Sequence, residues 1–350
     1  MRDNITGKSI LLIGDPFYGY CAFIKEQLLL LGAKSVRFIE APFYTGSFRD
    51  DINLSTVVSW LKDPKVRTHW TQKLLKELGD EVFDTLFVVQ KMPFKKFFVD
   101  ELRVRNPQLR SILFLWDTFR TQQARYIDYL PLFDKVYTFD KDDAATYHLT
   151  YFPDFYIEEE TVPISQCQYD VAFVGTMDAD DTSYRGKILA TISELCQQEG
   201  LNSFFYLRYY NYNQADGSLK QRLKRFKYRH YNQEVERLQK YGFMHESALP
   251  LSDYNRIMAN TKAVIDISHR HRQGLTINAI TALANGRKLI TTNQRIKEES
   301  FYDPQMICVI DEKAPVIDAA FLRSPYRPVD ISFLRMDHWL KHIVNEQSND

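Results

Sequence analysis

The chain has 350 residues, 45 % of them apolar, and its 45 Lys plus Arg balance its 45 Asp plus Glu. That length suits about two domains, and a net charge of zero excludes the global basic field of a nucleic-acid protein. Four cysteines, Cys21, Cys167, Cys196 and Cys308, share no paired spacing, which excludes a cysteine zinc site and a disulfide framework and fits a reducing compartment.

In chain order, SILLIG (9–14) reads as a buried strand, CAFIKEQLLLLGA (21–33) as a helix ending at Gly32, and SVRFIE (35–40) as a second strand. Helical patterning fills much of 53–79. DTLFVVQ (84–90) is a strand, 94–104 a helix, and SILFLWD (111–117) and DKVYTFD (134–140) two further strands. This rhythm predicts βαβ units and a parallel sheet. It pauses at 151–168, where two prolines and an acidic run predict a linker. It restarts with YDVAFVG (169–175), a helix over 184–199, SFFYL (203–207) and a long polar helix over 217–240. GFMHES (242–247), AVIDIS (263–268), KLITTN (288–293) and MICVID (306–311) follow as strands. The expected fold is α/β: two Rossmann-like domains facing a cleft. One spans 1–155, the other 165–325, and 326–350 forms a terminal helix that returns to the first.

In doubly wound sheets, ligands bind beyond the carboxyl ends of the strands. The richest such place is SHRHRQGLTINAITALANGRKLITTN (268–293). A strand ends where His269, Arg270, His271 and Arg272 begin. Gly274 allows close approach of backbone to a ligand, and a helix over Thr276–Asn285 then offers free N–H groups. A phosphate fits there, with Arg270 and Arg272 adding charge-assisted bonds. The competing reading is a solvated basic loop. A second strand–Gly unit, VAFVGTMDADDTSYRGKIL (171–189), puts Gly175 and Thr176 before a helix that carries Arg185 and Lys187.

The segment QGLTINAITALANGRKLITTN resembles the carboxyl-half signature of GT-B glycosyltransferases, in particular the group 1 enzymes that build bacterial capsule, lipopolysaccharide or exopolysaccharide. The resemblance covers roughly 165–312. In that family two Glu residues with seven residues between them precede Ala-x-x-x-Gly. Aligning on Gly286 puts Gln273 and Thr281 at those positions, so both carboxylates are replaced by uncharged hydrogen-bonding groups. The family implies a nucleotide-sugar donor, held here by Gly175, Thr176, Arg185, Lys187, Arg270, Arg272, Gln273, Gly274, Leu275, Thr276, Asn278 and Thr281. It also implies a glycan or lipid-linked glycan acceptor on the amino half.

Inverting sugar transfer needs a base for the acceptor hydroxyl. Asp15, after the first strand, and Asp117, after another, stand where a cleft base belongs. Each also suits a helix cap, and His269 is the third candidate. Tyr18 and Arg120 would shape the acceptor pocket. Asp178-Ala179-Asp180 matches the D-x-D triplet that holds a divalent metal in single-domain GT-A enzymes, but it opens the second half of a two-domain chain. No metal and no cofactor are therefore expected, basic residues and a helix dipole balancing the diphosphate.

The basic–aromatic stretches KMPFKKFFVDELRVR (91–105) and LKQRLKRFKYRHYNQ (219–233) read either as solvated helix faces or as contacts to an anionic membrane surface. No apolar run reaches the roughly 20 residues of a spanning helix, and the start of the chain stays apolar only for a strand's length. The expected location is cytoplasmic, peripheral on the inner face of the plasma membrane. Two alternatives stay open: a nucleotide-sugar epimerase of the same architecture, and a non-catalytic nucleotide-binding partner.

Overall fold

The computed structural model describes residues 4–15, 19–41, 64–90, 92–119, 124–177, 184–212, 223, 225–268 and 274–345. In chain order the described elements begin with β1 (Ser9–Gly14), α1 (Tyr20–Leu30), β2 (Ser35–Glu40), α2 (Pro64–Leu78), β3 (Thr85–Val89), α3 (Phe97–Arg105), β4 (Arg110–Leu115), β5 (Lys135–Thr138), α4 (Lys141–Tyr147) and β6 (Thr150–Tyr151). Then come β7 (Tyr169–Thr176), α5 (Tyr184–Gln198), β8 (Ser203–Arg208), α6 (Arg229–Leu238), β9 (Met244–His245), α7 (Leu251–Ala259) and β10 (Thr261–Asp266). The chain closes with α8 (Ile277–Ala284), β11 (Lys288–Thr291), β12 (Ile307–Val309), α9 (Ala319–Arg323) and α10 (Met336–Asn345). Two compact units result: Met1–Phe155 with Phe333–Asp350, and Tyr156–Ser332.

Each unit holds one six-stranded sheet whose neighbouring strands all run parallel. In the first, the order is β2-β1-β3-β4-β5-β6. Its central strands β1, β3 and β4 are apolar on both faces, as the middle of a sheet covered on both sides requires, whereas the edge strand β2 buries only Val36. Leu11, Ile13, Leu86, Val88, Leu113 and Leu115 meet α2 and α3 through Leu74, Leu78, Phe98 and Leu102. On the other face Phe87 and Phe114 receive Trp339 of α10. That helix buries Met336, Trp339, Leu340, Ile343 and Val344, a spacing that makes one apolar stripe. Its end is tied to the start of the chain, where the Asn4 backbone N–H donates to Asn345 Oδ1 at 2.7 Å.

The second sheet runs β12-β11-β10-β7-β8-β9. Val171, Phe173, Leu207, Ala263 and Ile265 pack against Ile188, Leu189 and Ile192 of α5 and Val235 and Leu238 of α6. Two consecutive cations, Arg287 and Lys288, are buried at the opening of β11. Arg287 donates to Val162 O and, at 3.0 Å, to Ala259 O. Lys288 Nζ donates to Ser324 O at 2.7 Å, to Ser324 Oγ at 2.6 Å and to Phe321 O, and lies over the Tyr326 ring. Carbonyl oxygens rather than carboxylates thus solvate both charges, and the pair holds the segments by which the chain enters and leaves this unit.

Several elements differ from the sequence reading. The strand expected at 263–268 is Thr261–Asp266, which leaves Ile267 and Ser268 beyond it. GFMHES contributes only Met244–His245. Of the long helix over 217–240, the described residues 223 and 225–227 are helical, a turn at Tyr228 interrupts them, and Arg229–Leu238 continues as α6; of the helical 53–79 the described part is Pro64–Leu78. Helix α4, inside the stretch before the expected linker, carries no apolar stripe and buries no residue. It forms because Asp140 caps it, accepting from the backbone N–H groups of Asp142 and Asp143, each at 3.0 Å.

Asp143 in turn accepts from Phe119 N at 2.8 Å. Burial, with Asp140 and Asp142 close by, pushes its carboxyl up to about 6 from 3.8. A pKa raised on folding stabilises the protein below the unfolded value and loses that contribution as pH rises through the folded one. Asp143→Asn keeps an acceptor for Phe119 and removes the charge. It is expected to stabilise the protein by about 1 kcal/mol at pH 7.5, discounted for solvent screening, and by almost nothing at about pH 3, below the unfolded value. Urea unfolding at the two pH values checks this.

Candidate functional site

Read from its far edge, the second sheet has the order β9-β8-β7-β10-β11-β12, the 3-2-1-4-5-6 arrangement of a dinucleotide-binding sheet. The direction of winding reverses between β7 and β10, so the crevice for a ligand opens beyond Thr176 and Asp266. Arg185, half-buried on the first turn of α5, turns back to this crevice: its Nη1 donates to Thr176 O at 2.9 Å. Gly175 lies just before. A Cβ there would fall 2.6 Å from the Phe173 ring, so its glycine serves the packing of β7.

Asp266, absent from the sequence-derived site, is the organising residue. It is buried at the end of β10, where Oδ1 accepts from Thr276 Oγ1 at 2.9 Å and Oδ2 from Thr291 Oγ1 at 3.3 Å. Burial raises its pKa, opposed by the Thr276 hydroxyl, then by the Arg185 charge, then by Thr291 and Ser268. Thr276 caps α8: its hydroxyl donates to Asp266 and accepts from Ala279 N at 3.1 Å. The buried carboxylate therefore fixes the rotamer that ends the loop and starts the helix.

The Thr291-Thr292-Asn293 run holds the rest. Thr292 Oγ1 accepts from Ser268 N at 3.1 Å, and Asn293 Nδ2 donates to Gly274 O at 3.3 Å. The segment from 268 to 276 is thus pinned at Ser268, Gly274 and Thr276. Its basic centre, His269, Arg270, His271 and Arg272, lies outside the described residues, as do Gln273, the Asp178–Asp180 triplet, Tyr18 and Arg120.

The remaining expected donor residues fall in different places. Leu275 is buried, and Thr281 is half-buried on α8. Asn278 is exposed, and its Oδ1 accepts from Tyr254 OH at 2.8 Å. Lys187 is exposed on α5. Two positions beyond Arg185, it points roughly 200° away around the helix, so the structure does not bring it to the crevice with Arg185.

In the first unit the order 2-1-3-4-5-6 puts the reversal between β1 and β3. Asp15 follows β1 and is buried, and Asp117 follows β4 and is half-buried. One strand, β3, separates them, which is about 10 Å across two strand spacings. Gln90 ends that strand between them. Trp116 and Tyr20, with ring centroids 6.3 Å apart, add an aromatic wall.

No protein-family model matches the sequence, and no curated protein does. Among solved structures, the N-terminal domain of Candida albicans trehalose-6-phosphate phosphatase has a TM-score of 0.53, with 10 % identity over 97 % of this chain and 96 % of that one. The fold is of the GT-B type. S. aureus MnaA with UDP gives 0.49 at 11 % identity over 96 % and 91 % of the two chains. UDP-GlcNAc 2-epimerase of Methanocaldococcus jannaschii, in complex with UDP-GlcNAc and UDP, also gives 0.49, at 9 % identity over 97 % and 99 %. At these identities the likeness is one of fold. Among the described residues no helix is long and apolar enough to cross a membrane.

Proposed function

We propose that the protein is a metal-independent glycosyltransferase, moving a sugar from a nucleotide-sugar donor to a lipid-linked glycan acceptor in bacterial surface-polysaccharide synthesis. The observation that carries this reading is the β7/β10 crevice, with Arg185 beside it and a capped helix N-terminus whose preceding loop is pinned at both ends. Such a site binds phosphate through backbone N–H groups and the helix dipole, and in the sequence Arg270 and Arg272 fall between Ser268 and Gly274. Neighbours of the same fold, one with UDP and one with UDP-GlcNAc and UDP bound, support the donor class. The replacement of both family carboxylates, by Gln273 and Thr281, leaves the stereochemical course to the first unit's residues.

The test is a thermal-shift panel of UDP-, GDP-, dTDP-, ADP- and CMP-sugars. One donor at 100 times its Kd should add about 2.7 kcal/mol. Arg270→Ala and Arg272→Ala should weaken that donor, at least one of them by about 1.5–3 kcal/mol, the range for hydrogen bonds to a charged group. Unchanged affinity in both removes the donor site. Acceptor-dependent release of nucleotide marks the transferase, whereas an isomerised donor with no acceptor requirement marks an epimerase instead.

Lipid-linked acceptors suit a protein that docks on an anionic surface. Leu223 and Phe226 are 61 % and 69 % exposed beside Arg225, Lys227 and Arg229. Wild type should sediment with phosphatidylserine vesicles at low salt, and Arg225→Glu with Lys227→Glu should not, each basic residue contributing about 1 kcal/mol near such a surface. A wild type that ignores the vesicles removes the membrane from the proposal.

A further inference from the structure

Three features meet at Gln90. It is fully buried at the end of β3. Its φ is +62°, in the left-handed region that residues with a Cβ rarely adopt and that, where the surrounding structure holds it, clusters at functional sites. Its side-chain oxygen is fully engaged, because Oε1 accepts from the backbone N–H groups of Trp116 at 2.8 Å and Asp117 at 2.9 Å. These two donors fix the amide orientation, since only the oxygen can accept both. The other half of the amide, Nε2, is buried without a hydrogen-bond partner. Leaving a buried donor unmade is costly and rare in folded proteins.

The surroundings restrict what Nε2 can serve. Val89 pairs with Gly14 and with Phe114, so Gln90 lies between the residues that follow β1 and β4. Asp15 comes next after Gly14, one strand spacing away, and Asp117 touches Gln90 directly through its N–H. A phosphate or carboxylate would meet two acid side chains here. An ammonium group cannot accept from Nε2. A hydroxyl can accept from Nε2 and donate to a carboxylate at once. The half-buried rings of Trp116 and Tyr20, inclined at 68°, offer apolar surface to the C–H face of a ring that bears such hydroxyls.

We propose that Gln90 Nε2, at the carboxyl edge of the first sheet, is the hydrogen-bond donor of a sugar-hydroxyl site that it forms with Asp15 and Asp117. This deepens the transferase reading by adding a residue that holds the acceptor oxygen beside a candidate base, and it rests on that reading only for the word acceptor. The strain at Gln90 has a purpose on this account: the left-handed turn sends one amide to both tasks, fixing the loop at 116–117 with oxygen and the ligand with nitrogen.

The experiment uses full-length protein labelled with 15N-glutamine. The Gln90 side-chain NH2 pair is assigned by its disappearance in Gln90→Glu, which keeps an acceptor for Trp116 and Asp117 and loses the donor. The methyl glycosides of glucose, galactose and N-acetylglucosamine are titrated at millimolar concentration. At least one should shift the Gln90 pair to saturation, and Gln90→Glu should bind that glycoside roughly fivefold to tenfold more weakly, the effect of one neutral hydrogen bond. A Gln90 pair unmoved by all three glycosides overturns the site, and so does equal affinity in Gln90→Glu. If Gln90→Glu does not fold, the wild-type shift still decides, with assignment by Gln90→Asn. A protein that shows the shift but binds no nucleotide-sugar loses the transferase reading and keeps this site. One that transfers sugar while Gln90 ignores every glycoside does the reverse.

Discussion

If the protein is the proposed transferase, replacing Asp117 or Asp15 by Asn should slow sugar transfer, in at least one case by about 100-fold or more, the lower end for general acid–base catalysis. Asn keeps the shape and removes the basicity, so donor affinity should hold. The two positions differ in a way that helps the test. Asp117 is half-buried and its backbone is fixed by Gln90 Oε1, whereas Asp15 is buried beside β3. A base must meet its substrate oxygen in a fixed direction, and a backbone anchored by two hydrogen bonds supplies that for Asp117. Single-turnover transfer, with donor Kd measured alongside, separates loss of chemistry from loss of binding. If both variants transfer at wild-type rates, the proton goes elsewhere, with His269 the next residue to change.

Trp339→Ala should destabilise the protein by about 3–5 kcal/mol, the range for a buried aromatic removed from a core. The indole is fully buried, edge-on to Phe114 at 4.6 Å and Phe155 at 4.9 Å, and its Nε1 donates to Pro153 O at 3.0 Å. The substitution opens a cavity and leaves a carbonyl unpaired. Trp339→Phe keeps most of the volume and should cost clearly less. Guanidinium unfolding, followed by circular dichroism, would count against this account if the Ala variant lost less than the Phe variant.

What could be read in advance follows from how local each signal is. β1 and β2 keep the bounds expected for them, whereas β7 runs one residue further than YDVAFVG and β11 stops two residues short of KLITTN, because hydrophobicity marks a strand's centre better than its ends. Helix α10 shows its stripe plainly in MDHWLKHIVN. Helices α4 and α7 do not, because α4 buries nothing and α7 buries only Ile257. β6 and β9, two residues each, are too short for any pattern. Site residues divide the same way. Asp15, Asp117 and Thr276 stand out by following strands or preceding a helix. Asp266 lies inside the apolar run AVIDIS, where a lone acid is a visible oddity, yet its partners Thr276 and Thr291 are 10 and 25 residues away. Gln90 gives less still. Its sequence context is an ordinary strand end, and only the backbone turn and the loop at 116–117 reveal it. Lys187 shows what the sequence leaves out: it shares a helix with Arg185, and only the helical geometry says that the two face different ways.

The return of α10 to the first unit sets an order of events during synthesis. Phe87, Phe114 and Phe155 lie under Trp339, so the face they form is incomplete while the ribosome makes the intervening 183 residues between Phe155 and Trp339. At 5–20 residues per second that interval lasts about 10–40 s. The unit that begins first must therefore finish last. Through that interval its aromatic face stays open to a chaperone or to a neighbouring nascent chain, and every strand of Tyr156–Ser332 is made before Trp339 closes that face.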